Sequence, residues 1–291
     1  LTLVSAGAGY GKSTTVSQWL EETGCLHTWL TLDEEHNNLR IFLTYLAAAI
    51  EKIYSAGLKE TQTLLLSAEL APLSMISQTL INELDAIDQE FVLVLDDYHR
   101  IEEEQIHELI NELLRFPPEN MNLTLISRRD PPLRLSDLRA HSRMNELRID
   151  KLCFNQEEIN VLFQKLYGKG LNNEVAASVL EKTEGWITGL QLAALLIDNV
   201  EDVEKLLSSL KGDFRLVSDF LVEEVLLKQP VHIQDYLLSS AILDQFCAEL
   251  IEEINIATVS EEGEKVSGSD FIQWLVKANL FMIALDNEGK W

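Results

Sequence analysis

With 291 residues, 46% of them hydrophobic and 24% charged, the chain has enough apolar content for a large core and more than one domain. Its 48 acidic against 23 basic residues leave a formal charge of −25, which argues against holding DNA through the bulk surface. No apolar run approaches the roughly 20 residues that span a bilayer, and no signal peptide precedes the first strand, so a cytoplasmic protein without a membrane partner is expected.

The predicted elements begin with a strand at residues 1–4, which runs into Ala6-Gly7-Ala8-Gly9-Tyr10-Gly11-Lys12-Ser13-Thr14. A strand, a glycine-rich turn and Gly-Lys-Ser-Thr opening a helix follow the order of a phosphate-binding P-loop. Gly7, Gly9 and Gly11 let backbone N–H groups converge on phosphate oxygens without Cβ clashes. The helix N-terminus adds partial positive charge and unpaired amides. Lys12 is placed to reach the β- and γ-phosphates, Ser13 to offer its hydroxyl to Mg²⁺, and Thr14 to complete the cofactor-binding set. Ala6 stands where the pattern usually has its first glycine, and the looser form arises by chance in roughly a few per cent of chains this long. The flanking strand and helix make this a nucleotide site.

A helix is predicted over residues 14–23 with Gly24 as its stop, and a strand over residues 27–32. Helices over residues 39–54 and 73–86 follow. Phe91-Val92-Leu93-Val94-Leu95-Asp96-Asp97 is then a fully apolar run bounded by acids, as in a strand buried on both faces of a parallel sheet. A helix at residues 106–114, a strand at residues 123–128 and a shorter strand at residues 145–149 complete the alternation. Strands alternating with helices imply right-handed crossovers and a parallel sheet. Beyond residue 154 the pattern is helical, starting at the N-cap Asn155 with Glu157 and Glu158 in the first turn. Helices are expected at 156–167, 172–183, 186–198, 201–210, 213–228, 230–240 and 270–278, with a strand at 280–285. That ending resembles a winged helix. The chain begins without Met and stops in mid-pattern, so it reads as a piece of something longer.

Asp96 sits at the C-terminal end of a buried strand, where a P-loop sheet places its Mg²⁺-associated acid. Asp97 is the candidate to polarise or deprotonate an attacking water. Arg128, at the end of the next strand, is placed to sense the γ-phosphate, and Arg129 ranks below it. His99, in Asp96-Asp97-Tyr98-His99-Arg100, lines the edge of the site as a loop histidine without catalytic duty. Arg128, Arg129, Arg134, Arg139, Arg143, Arg148 and Lys151 form a local basic stretch, either facing ATP or the next domain, or simply solvated. Trp29, Trp186 and Trp274 are expected in the core. Cys25, Cys153 and Cys247 fit reduced thiols, and all three are expected to be buried.

The loop Ala6–Thr14, Trp29-Leu30-Thr31-Leu32-Asp33, Leu93-Val94-Leu95-Asp96-Asp97-Tyr98-His99 and Ser127-Arg128-Arg129-Asp130-Pro131-Pro132-Leu133 together resemble one family. So do Gly185-Trp186-Ile187-Thr188-Gly189-Leu190 and Phe220-Leu221-Val222-Glu223-Glu224-Val225-Leu226 further along. It is the ATPase module of the MalT-like large LuxR-type transcriptional regulators, within the STAND class of P-loop NTPases. The likeness covers almost the whole chain in the right order. It implies an ATP-controlled switch with a resting ADP form and a self-associating ATP form, reset by slow hydrolysis. A small-molecule inducer and DNA would bind through regions outside this segment. One departure is that the family's Gly-x-Pro turn reads Gly185-Trp186-Ile187 here, which weakens any assignment of that turn to the adenine.

The expected architecture is α/β: a three-layer P-loop sheet over residues 1–152, a helical domain over 153–228 and an incomplete winged-helix-like domain over 229–291. The site set is catalytic Asp97 and Arg128, phosphate-binding Gly7, Gly9, Gly11, Lys12, Ser13 and Thr14, and metal-associated Ser13 and Asp96, with ATP or ADP and Mg²⁺ as cofactors. Two alternatives stand beside a weak regulatory ATPase: an ADP-holding module that does not hydrolyse, and a small-substrate P-loop kinase.

Overall fold

The structure, a computed structural model, describes residues 1–168, 170–194, 222–243, 245–258 and 266–278. It divides into two units, Leu1–Ala6 with Gly11–Lys151, and Gly7–Tyr10 with Leu152–Trp291.

The first unit is built on five parallel strands: β1 Thr2–Ser5, β2 His27–Thr31, β3 Phe91–Asp96, β4 Met121–Ser127 and β5 Asn145–Leu147. They lie in the order β2-β3-β4-β1-β5. Its helices are α1 Lys12–Thr23, α2 Leu39–Glu51, α3 Lys59–Leu66, α4 Leu73–Asp85, α5 Glu104–Arg115 and α6 Leu135–Ala140, and α7 Ile149–Leu152 closes it. Side chains alternate across a strand, so each sheet face takes every second residue. Leu3, Leu93, Leu95, Leu123 and Leu125 share a core with Phe42, Leu46, Leu80, Leu109 and Leu113 from α2, α4 and α5. Val4, Val92, Val94 and Ile126 point the other way and are equally buried. A sheet covered on both faces is the layered α/β arrangement the apolar runs predicted.

Register fixes the functional edge. Val4 pairs with Ile126 and Ser5 with Ser127, while Leu95 pairs with Leu125. Asp96 therefore lies level with Val4 and Ile126, one row short of the point where β1 gives way to the glycine-rich loop. The C-terminal ends of β1, β4 and β3 present the chain's chemistry along one edge, as open parallel sheets do.

The second unit contains α8 Gln156–Tyr167, α9 Asn173–Thr183 and α10 Ile187–Ala194, packed around Ile159, Phe163, Val179 and Leu190. The expected Asn155 cap is present as a capping box: Asn155 Oδ1 accepts from the Glu157 and Glu158 amides, and Glu158 returns a bond to the Asn155 amide. Further on are a π-helical turn at Val222–Leu226 and α11 Val231–Ser240, α12 Ala248–Thr258 and α13 Gly268–Ala278. Ile233, Tyr236, Ile251, Phe271 and Leu275 form their core, which Ala8 joins. The helix expected at 201–210, most of that at 213–228 and the strand at 280–285 lie outside the described residues. Among the described residues no helix is long and apolar enough to cross a membrane.

Three expectations need correction. The cysteines are not buried: Cys25 is exposed, and Cys153 and Cys247 are half-exposed. Trp29 and Trp274 are only half-buried, and of the three core tryptophans expected only Trp186 is fully enclosed. Strand β4 ends at Ser127, not Arg128, because the Ser127 hydroxyl donates to the Arg129 carbonyl at 2.5 Å and turns the chain out of the sheet.

Candidate functional site

Helix α1 starts directly behind the glycine-rich loop, and its N-cap Gly11 has a left-handed backbone (φ 72°) with no side-chain cap. Gly9 is left-handed too, at φ 75°. Gly11 supplies no capping side chain to the first helical amides, and a helix N-terminus opened by such a turn is suited to an anion. Ser13 follows, and its Oγ donates to Asp96 Oδ1 at 3.1 Å across 83 residues of sequence. The same Asp96 oxygen accepts the Asp97 amide at 2.8 Å. The Ser13 hydroxyl and the acid of β3 are thus brought together.

Asp97 leaves the strand in a left-handed conformation (φ 56°, ψ 35°) and opens a 3₁₀ turn over Tyr98–Arg100. Tyr98 is driven into the core, with its Oη 2.9 Å from His107 Nδ1. Asp97 and His99 stay near the sheet edge, with His99 Nδ1 at 3.7 Å from Asp97 Oδ1 and Arg100 Nε at 4.0 Å from Asp97 Oδ2.

Burial dominates the electrostatics. It lowers the Lys12 amine to about 8, helped by the positive charge of Arg128 and opposed by Asp97 and Asp96. Burial raises the Asp96 carboxyl above its ordinary range, against the Ser13 hydrogen bond. It pushes the His99 imidazole down to about 3, and Arg128, Lys12, Arg100 and Arg129 add to the effect. Arg128, the residue after the end of β4, acts on both Lys12 and His99.

The donors suit Mg²⁺. A hydroxyl and a carboxylate are hard oxygen ligands, and this cation is held by one or two carboxylates together with substrate phosphates. A desolvated carboxylate gains from a cation beside it, and Asp96 is one. Among the described residues no group of three His, Cys, Asp or Glu side chains is placed to hold a metal alone.

A family profile described as the MalT winged helix domain matches residues 222–291. The HTH-type transcriptional regulators MalT of Yersinia enterocolitica and Yersinia pestis are each 32% identical over 295 aligned residues, covering 100% of this chain and 32% of their own length. Along its whole length the chain is similar to part of these regulators. It spans about a third of the length of those relatives. Among solved structures, Cdc6p from Pyrobaculum aerophilum aligns with 94% of this chain and 78% of its own, at 15% identity and a TM-score of 0.43.

The loop residues Gly7–Tyr10 belong to the second unit, and their contacts there are specific. Trp186 Nε1 donates to the Ala8 carbonyl at 3.1 Å. The Gly9 carbonyl accepts from Thr188 Oγ1 at 2.9 Å and from the Thr188 amide at 3.2 Å. Tyr10 lies 6.5 Å from the Trp186 ring, and burial raises its phenol to about 12. Sequence reasoning placed Trp186 in the core but missed that it and Thr188 hold loop carbonyls. Thr188, two residues past a turn with an indole N–H to satisfy, was the available signal.

The basic stretch resolves into separate roles. Arg148 pairs with Asp130 and Glu146, and Arg139 donates to Glu146 at 2.8 and 3.0 Å and to Asp130 at 3.3 Å. Hydrogen bonding from Arg139 holds the Glu146 carboxyl down at about 2. Ser5 Oγ, on the last residue of β1, donates to Asp130 at 3.3 Å. Arg139 and Arg148 are thus committed to acids. Arg129, ranked low from sequence, donates through Nη2 to the His99 carbonyl at 3.3 Å.

Proposed function

We propose that the chain is the ATP- and ADP-binding switch of a MalT-like transcriptional regulator, with slow hydrolysis resetting an active, self-associating state. The observation that carries this reading is the Ser13–Asp96 contact of 3.1 Å, which joins the P-loop to the acid of β3 at the C-terminal edge of a parallel sheet. In this reading Gly7, Gly9, Gly11 and Thr14 line the phosphates and Lys12 meets the terminal ones. Ser13 and Asp96 hold Mg²⁺, which when bound neutralises charge on the β- and γ-phosphates. Asp97 orients and deprotonates the attacking water, and Arg128 senses the γ-phosphate.

This reading assigns 153–228 to a helical domain and 229–291 to a winged-helix-like one, and the winged-helix profile, whose match begins at residue 222, supports the latter. An inducer and DNA bind through regions outside these residues, and the switch works in the cytoplasm.

Phosphate release and nucleotide binding by wild type and Asp97→Asn test the reading. Asn is among the few residues that accept a left-handed backbone, so the turn at φ 56° survives while the carboxylate is lost. Turnover is expected to fall about 100-fold with ATP and ADP affinities retained. Binding without wild-type turnover would support the non-hydrolysing module instead, and phosphate transfer to a metabolite the kinase.

A further inference from the structure

We propose that His99 is a positioning residue for hydrolysis, its Nδ1–H holding the Asp97 carboxylate in the orientation that activates water. The inference rests on the hydrolytic reading above and assigns work to a residue that reading leaves idle.

The geometry is specific. The His99 side chain is 16% exposed and its Nδ1 is buried without a hydrogen-bond partner, 3.7 Å from Asp97 Oδ1. A buried polar nitrogen left unmatched is costly, so a site that keeps one has a reason to. The separation is a few tenths of an ångström beyond hydrogen-bond range, and catalytic hydrogen bonds are often loose until the substrate complex forms.

The backbone around the imidazole is braced on both sides. Arg129 Nη2 donates to the His99 carbonyl, and Asn37 Nδ2 donates to the Arg100 carbonyl at 2.8 Å. Asn37 Oδ1 accepts the Glu102 amide at 2.6 Å, and Tyr98 is anchored on His107 inside the core. With the turn fixed at these points, His99 can adjust only at its side chain, and Asp97 is the acceptor within reach.

Charge selects the role. Lys12 from α1, Arg128 and Arg129 from the end of β4, and Arg100 from the same turn all act on His99. Among four cations a neutral imidazole is the stable form, and it has one N–H to give. A protonated side chain here would compete for the Asp97 charge as an ion pair. A neutral one aligns the carboxylate without pairing its charge. Arg100, 4.0 Å away on the other oxygen, completes a two-sided hold.

The test contrasts two neutral substitutions. His99→Asn places an amide N–H near the Nδ1 position, whereas His99→Gln places it at the Nε2 distance. Steady-state phosphate release should give His99→Asn a kcat within about threefold of wild type and His99→Gln a kcat lower by about tenfold or more. KM and ADP affinity should be unchanged in both, which separates positioning from loss of structure. Equal kcat in both variants, whether wild-type or reduced, overturns the inference while leaving the hydrolytic reading standing. A wild type that binds ATP without turnover overturns both.

Discussion

Gly9 was expected to be glycine so that backbone could approach phosphate, and the structure gives a second requirement whose size can be worked out. A Cβ at this position would lie 2.6 Å from Thr188 Oγ1, 2.9 Å from Thr188 Cβ and 2.9 Å from Trp186 Nε1. Two of those atoms are the donors that hold the Ala8 and Gly9 carbonyls. Gly9→Ala therefore incurs a left-handed backbone at φ 75°, worth about 1–2 kcal/mol for a residue with a side chain. It must also displace at least one donor, and losing that bond adds about 1 kcal/mol. More follows where the buried Trp186 N–H is left unmatched. The total is about 3 kcal/mol, large against the stability of most domains. Thr188→Gly removes both close atoms of that side chain, so the double variant should recover at least about 1 kcal/mol of the summed cost. Urea denaturation followed by tryptophan fluorescence, run as a double-mutant cycle, measures this. Strict additivity, or a Gly9→Ala cost below about 1 kcal/mol, would refute the packing argument.

Tyr98→Phe should destabilise the chain by about 1–3 kcal/mol in the same assay, because it strips His107 Nδ1 of a partner at 2.9 Å inside the core. Mild acid should destabilise it too. His99 is held neutral, with its pKa pushed down to about 3, while the unfolded chain takes up that proton below about pH 6.5. Stability is thus complete above pH 6.5 and falls as pH drops, by about 2 kcal/mol at pH 5 from this group alone. His107, lowered mainly by burial, acts in the same direction. Denaturation curves at pH 7.5 and 5 should show His99→Asn losing less than wild type, and an unchanged slope in that variant would remove His99 as the cause.

What could be read from the chain follows how local each signal is. The strand at Phe91–Asp96 announced itself because six successive residues are buried, and only a doubly covered strand needs such a run. The capping box at Asn155 lies within four residues and was equally visible. Helix α3 at Lys59–Leu66 was missed because its cap is remote. The Glu60 and Thr61 amides are satisfied by the Glu83 carboxylate of α4, at 2.8 and 2.9 Å, and the side chain of the N-cap residue Leu58 carries no donor or acceptor. Helix α5 was started two residues late, since Glu103 caps it through its own carboxylate and reads as loop. In the site, Ser13 and Asp96 could be paired from sequence because their motif has a known order on a sheet. The place of His99 could not, because it depends on a left-handed residue two positions earlier.

That residue, Asp97, decides how two adjacent acids come to differ. On a continuing strand Asp96 and Asp97 would face opposite sides of the sheet, and the second would be wasted on the wrong face. The left-handed turn at φ 56° ends the strand and keeps both carboxylates at the same end, one bound to Ser13 and the other beside His99 and Arg100. A glycine would make that turn without strain but would have no carboxylate. A glutamate or alanine would bear the full penalty of a side chain in this region, whereas aspartate can offset part of it locally. Strain retained at a sheet edge, in one of the few residue types that combine the turn with a charge, points to the charge as the reason for the strain. It also explains why His99 faces Asp97: the same turn delivers both.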